Sequence, residues 1–205
     1  MWGTSGNDIY VVGALGGIAH YDGSNWQKLN SGTAIDLLDV YGSPGGEVVW
    51  ACGFTDFVGT ILLKFTGSAV ETVYEDIDNW SNIRQDSLSG RLVGVWANDP
   101  GKIYVMSNAG MYIANADTRG EAERIWFNDD FTPGFPRAFH GQKSNDMFTG
   151  GDFSFLAHYN GNSWRHYNHL TGRIRTRGIS IQGNFAIAVG VDNNTQRAIV
   201  ITGNR

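Results

Sequence analysis

Cysteine is almost missing from this sequence, proline is scarce, and no stretch of apolar residues is long. Cys52 is the only thiol, so no disulfide can close within the chain. It sits in EVVWACG, which reads as a buried strand, where cysteine serves as a small hydrophobe. The apolar runs are strand-sized, far short of the ~18–20 residues of a membrane-spanning helix, so no membrane insertion is expected. Basic residues are in the minority, 15 Lys and Arg against 20 Asp and Glu. The net charge of −5 argues against nucleic acid as the main partner, because phosphate binding needs a basic face. The opening residues MWGTSGNDIY carry neither a basic nor an apolar region, so no secretion signal is read in them. Helical periodicity, a Ser-His-Asp order and a nucleotide fingerprint are absent as well. The glycine-rich run Gly13 to Gly17 is followed by no helix that could bind an anion.

What is present is glycine, 28 residues, and aromatics, 13% of the chain. That mixture suits short strands joined by tight turns. Residues 3–26 return at 141–164 without a gap. Asn7-Asp8, Gly13, Ala19-His20-Tyr21, Gly23 and Trp26 recur as Asn145-Asp146, Gly151, Ala157-His158-Tyr159, Gly161 and Trp164. If this interval of 138 residues spans three units, the mean period is 46. Weaker copies lie between, and the Gly13 position reappears as Gly53, Ser107, Gly151 and Gly190. Each is preceded by a β-rich run (DIYVVG, EVVWACG, KIYVMS, NDMFTG, FAIAVG) and followed by another, then by strands near Trp26, Val73, Ile125 and Trp164. A further strand opens the next unit, in IDLLDVY, RLVGVWA, FPRAFHG and TRGISI. Asp-Gly and Asn-Gly between such runs are strong hairpin signals.

Four antiparallel strands every ~46 residues are the signature of a β-propeller. The fold expected is therefore all-β, one propeller domain of about five short four-stranded blades, in units of about 2–34, 35–90, 91–134, 135–175 and 176–205. The terminal blades are expected to be incomplete. The first would keep only Trp2-Gly3 of its innermost strand, and the last would lack its outer strand. Exposed seam strands would then invite a homodimer or further propeller repeats.

The unit W-G-x-S-x-x-D-[VI]-Y-x-V-G-x-x-G-x-I-x-H-Y-D-G-x-x-W, matched best by Trp2–Trp26 and then by Gly141–Trp164, resembles a bacterial propeller-repeat family of secreted and surface-associated proteins. That resemblance implies the fold, a binding scaffold and an extracellular or cell-surface setting. The repeat is also similar to the sialidase-like and kelch-like propellers. The sialidase Asp-box, S-x-D-x-G-x-x-W, nevertheless fails at its centre, because Asp22 adjoins Gly23 directly.

In a propeller, the loops between strands two and three share a face with those leading from strand four to the next blade, and function gathers there. The insertion at 75–90 places Trp80 among Asp76, Asp78, Asn79, Arg84 and Asp86. A flat ring rimmed by carboxylates, amides and a guanidinium suits a sugar or another polar ligand, and equally a solvated loop anchored by Trp80. Asp129, Asp130 and Phe131 offer the same two readings, and Phe57 lies on another loop of that face. Arg137 and Arg177 share one repeat position, occupied elsewhere by Leu38 and Val93, and Arg91 matches Arg175. These guanidiniums could hold a carboxylate or phosphate, pair with Asp36 and Asp39, or sit in channel water. His20 and His158 are expected to make one structural hydrogen bond twice. His166 and His169 lack cysteine partners for zinc, and no cofactor or metal is expected. The function expected is a non-catalytic binding module for a glycan or protein surface. A glycoside-cleaving enzyme using two loop carboxylates, such as Asp78 and Asp129, and a structural segment of a larger surface protein are the alternatives.

Overall fold

A computed structural model describes residues 1–77, 86–115, 120–127, 135–167 and 170–204, with only the backbone of Asp99, Trp126 and Phe127. The described chain is all β and forms five antiparallel sheets, the blades that the repeat predicts. The first holds β1 (Trp2–Ser5), β2 (Asp8–Val12), β3 (Ile18–Tyr21) and β4 (Trp26–Leu29). The second holds β5 (Leu37–Gly42), β6 (Val49–Thr55), β7 (Gly59–Thr66) and β8 (Ala69–Asp76). The third holds β9 (Leu92–Asp99), β10 (Lys102–Ser107), β11 (Gly110–Asn115) and β12 (Ala122–Phe127). The fourth holds β13 (Pro136–Lys143), β14 (Asp146–Gly151), β15 (Leu156–Tyr159) and β16 (Trp164–His166). The fifth holds β17 (Ile174–Gln182), β18 (Phe185–Asp192) and β19 (Arg197–Asn204). Two compact units divide the chain, Met1–Phe127 with the first three blades and Asn128–Arg205 with the last two.

The expectation of a vestigial first strand is corrected. β1 is a full inner strand, pairing Trp2 with Tyr10 and Gly3 with Ile9. Four residues suffice because they are anchored at both ends. The Trp2 ring lies 5.9 Å from that of Tyr41 in the second blade, and Thr4 Oγ1 donates to Asp8 Oδ2 at 2.6 Å. Among the described residues only the fifth blade has three strands.

Strands that look too apolar for a half-solvated sheet are buried on both faces. Trp50, Ala51 and Cys52 are all fully buried. Tyr10, Ile18, Leu37, Ile61 and Phe65 fill the space between the first two blades. Trp50, Leu62, Leu92, Val105 and Tyr112 fill the next space. Phe148, Leu156, Ile181 and Ala188 do the same between the fourth and fifth blades. Each buried Leu, Ile, Val or Phe among them contributes roughly 1.5–3 kcal/mol by leaving water.

The residues shared by the two best copies hold each blade's periphery. His20 Nε2 donates to Asp8 Oδ1 at 2.7 Å, and His158 Nε2 to Asp146 Oδ1 at 2.8 Å. Their rings stack on Tyr10 and Phe148, with centroids 4.1 and 4.3 Å apart. Tyr21 and Tyr159 donate to the Gly23 and Gly161 carbonyls at 3.0 and 2.9 Å. The Gly53, Gly151 and Gly190 positions are glycine because a Cβ there would strike the carbonyl oxygen of Asp36, Phe135 or Arg175. These repeats of sequence are repeats of one scaffold.

Candidate functional site

A bulge recurs in the inner strand of four blades. The register slips between Leu37 and Asp39 and between Pro136 and Ala138, and likewise between Thr176 and Gly178. In β9 it slips between the partners of Met106 and Ser107. The extra residues are Leu38, Val93, Arg137 and Arg177, so the equivalence read from the sequence is a structural one. Bulges re-aim side chains. Arg137 is turned onto the loop that follows β14, and Arg177 is solvent-exposed.

That loop repeats the one after β2, bond for bond. Gly13 N donates to Gly17 O, Gly17 N to Ala14 O and Gly16 N to Ile35 O, at 2.9–3.0 Å. Gly151 N donates to Phe155 O, Phe155 N to Asp152 O and Ser154 N to Ile174 O, at 2.8–3.2 Å. The framework is fixed while its side chains change. Ala14 corresponds to Asp152, Leu15 to Phe153 and Asp36 to Arg175. In the first copy Asp36 Oδ1 accepts the Leu15 N–H at 2.8 Å, an ordinary loop tether.

In the second copy the substitutions make an ionic cluster. Arg137 Nε donates to both Asp152 oxygens at 2.9 Å, and Arg175 Nε donates to Oδ1 at 2.7 Å. Burial disfavours the Asp152 charge, yet the bonds and charges of Arg137 and Arg175 hold its carboxyl below the usual range. Only the Nε atoms are used. Among the described residues nothing else hydrogen-bonds to either guanidinium. The Phe135 ring lies under Arg137, 5.0 Å from its central carbon. Two arginines and one aspartate leave one net positive charge at the site.

Beside it, Phe153 is 57% exposed with φ +58°, followed by Ser154 at +63°. Leu15 (77% exposed, φ +54°) and Phe57 (93% exposed, φ +64°) occupy the corresponding loops of the first and second blades. A bulky residue with left-handed backbone is uncommon and costs about 1–2 kcal/mol. Three loops thus hold an apolar side chain out into water in an unfavourable conformation. Strain of this kind gathers where ligands bind.

Of the readings left open for the arginines, pairing with Asp36 and Asp39 is not what the described residues show. Arg91 pairs with Asp56 at 3.0 Å and lies over Phe54, while Arg137 and Arg175 pair with Asp152. Asp39 instead accepts the Val95 and Val40 N–H groups, both at 3.0 Å, and links neighbouring inner strands. Burial there pushes its carboxyl up to about 7. Cys52 is buried, and burial raises its thiol well above the usual range. Trp80, Asp78, Asn79, Arg84, Asp129 and Phe131 lie outside the described residues.

Asp152, Phe153 and Arg175 were legible only in part. Comparing the two loops position by position would have found them, and so would a count of charges by segment. Residues 1–127 carry fifteen acidic and seven basic side chains, and 128–205 carry five acidic and eight basic. The second unit is basic within an acidic chain.

No family profile and no curated protein sequence matches the chain. Solved structures do. YCF48 bound to a D1 peptide matches over 98% of this chain and 61% of its own, with TM-score 0.66 and 14% identity. YCF48 from Cyanidioschyzon merolae matches over 91% and 62%, at 0.61 and 14%. The GH74 enzyme of Niastella koreensis matches over 98% and 36%, at 0.67 and 13%. The fold is a β-propeller. At such identities the likeness is one of fold, and the chain spans about three-fifths of the length of the two YCF48 structures.

Proposed function

We propose that this propeller is a non-catalytic binding module that grips a carboxylate-bearing protein segment at the Arg137–Asp152–Arg175 cluster. The observation that carries this is the repeated loop. One backbone framework holds Ala14 and Asp36 in the first copy and Asp152 and Arg175 in the other. Fold alone requires neither arginine.

The chemistry follows from the geometry. A guanidinium held through Nε keeps a rigid donor edge, and two such edges suit a planar carboxylate. Asp152 positions both arginines and prevents their mutual repulsion. Phe153 adds an exposed ring for an apolar neighbour of the bound acid. One structural neighbour is a propeller with a peptide bound, which supports a polypeptide ligand without identifying it.

The test is a binding panel of acidic, neutral and basic peptides together with neutral glycans. Saturable binding confined to acidic peptides, weakened by salt, is expected. Binding of neutral glycans alone would return the site to the loops of Trp80, Phe131 and Phe57. Turnover of a glycoside, lost on replacing Asp78 or Asp129, would favour the enzyme reading.

A further inference from the structure

The charge beside the repeated loop changes sign between the two units. The Ser154 N–H reaches the Ile174 carbonyl, just before Arg175, as the Gly16 N–H reaches that of Ile35, just before Asp36. Where the second unit has a guanidinium, the first has a carboxylate. Asp36 Oδ1 accepts the Leu15 N–H at 2.8 Å, and among the described residues no cation pairs with it.

Exposed apolar residues crowd this end of the first unit. Of the seven large ones described there, Leu15, Leu38, Phe57, Val58 and Ile77 belong to the loop ends of the first two blades. Hydrogen bonds make them neighbours. The Asp36 N–H donates to Thr55 Oγ1 at 2.8 Å, and the Val58 N–H to the Thr55 carbonyl at 3.0 Å. Gly59 backs onto Ile77, since a Cβ there would lie 3.2 Å from the Ile77 Cα. The group ends at the third blade, whose loop folds its Ala109 inward. Apolar residues grouped in this way, unlike single scattered ones, mark an interaction surface.

Charge selects the occupant. Asp36 tethers Leu15 and stands two residues before Leu38, Asp56 adjoins Phe57, and Glu75 and Asp76 precede Ile77. Against these four carboxylates stand Lys28, in the hollow beside Leu15, and Arg91, which pairs with Asp56. The carboxylates would repel an anionic bilayer and attract a cationic chain.

We propose that this face of the first unit docks a basic segment of a partner protein, with apolar side chains on Leu15, Phe57 and Val58 and a lysine or arginine at Asp36. Covering the exposed side chains supplies affinity, and the carboxylate selects the sign of the partner. The surface shares no residue with the Arg137–Asp152–Arg175 cluster, so it stands or falls independently of the function proposed above.

The probe is the labelled peptide Lys-Leu-Lys-Phe-Lys-Leu-Lys, titrated into the whole chain by fluorescence anisotropy. Saturable binding, weakened by salt, is expected. Basic peptides without apolar side chains, such as Lys-Ser-Lys-Ser-Lys-Ser-Lys, should fail here as they should at the carboxylate cluster. Phe57→Gly keeps the left-handed backbone at no steric cost and should weaken binding about tenfold. Asp36→Asn keeps an acceptor for the Leu15 N–H and should weaken it about threefold, with a shallower salt dependence. Arg175→Ala should leave it unchanged. Equal binding of the lysine–serine peptide, or affinity indifferent to Phe57→Gly, would overturn the proposal. So would binding to phosphatidylcholine vesicles that Phe57→Gly abolishes, which would assign the face to lipid. A dimer by light scattering that Phe57→Gly dissociates would overturn it too, because a second copy would then cover the face.

Discussion

Arg175 Nε donates to Asp152 Oδ1 at 2.7 Å, joining the start of the fifth blade to a loop of the fourth. Asp152 thus does two jobs: it ties the fourth and fifth blades together and holds two guanidiniums by their Nε atoms. Asp152→Asn removes the charge and one strong acceptor, and it should cost about 1–3 kcal/mol at pH 7, measured by urea unfolding. The Asp152 carboxyl is held below its ordinary range, so its contribution is present above about pH 4 and fades as pH falls further. Between pH 5 and 3 the wild type should lose more stability than D152N does.

Asp39 should show the opposite dependence. Its folded-state carboxyl lies at about 7, above the unfolded value, so the native state binds more protons between these limits. Stability from this residue falls as pH rises from about 4 through 7. Asp39→Asn should flatten the stability profile across that window, with each pKa unit of the rise equivalent to about 1.4 kcal/mol. Thermal melts at pH 5 and 8 check it.

The His–Asp pairs are scaffold. Asp8→Ala and Asp146→Ala should each cost about 1–2 kcal/mol of stability, because each leaves a histidine without its acceptor. Ligand affinity of the folded protein should stay unchanged. Denaturation curves and peptide titrations on the same samples separate the two effects.

Phe153 holds a left-handed backbone that glycine would adopt freely. Phe153→Gly should raise stability or leave it level, with up to about 1 kcal/mol gained, and should weaken ligand binding. A gain in Tm accompanied by a loss of affinity marks strain kept for function.

Five blades, their strands and the shared peripheral residues were legible because they follow from local patterns: alternation, Asp-Gly turns and a recurring glycine. The four-residue β1 was not, because its stability comes from Trp2 packing against Tyr41 of the second blade, a tertiary contact. The equivalence of Arg137 and Arg177 was visible, but Asp152 as the shared partner of Arg137 and Arg175 was not. Sequence spacing shows which residues share a repeat position, and not which loop a bulge turns them toward.

The most direct test is titration of one acidic peptide into the wild type, Arg175→Lys and Arg177→Ala. Lysine keeps the charge and the tether to Asp152 but loses the planar fork, so Arg175→Lys should bind about tenfold more weakly. Arg177→Ala should change affinity by no more than about twofold, as expected for an exposed, screened charge. Unaltered affinity in Arg175→Lys would contradict the carboxylate grip proposed for this propeller.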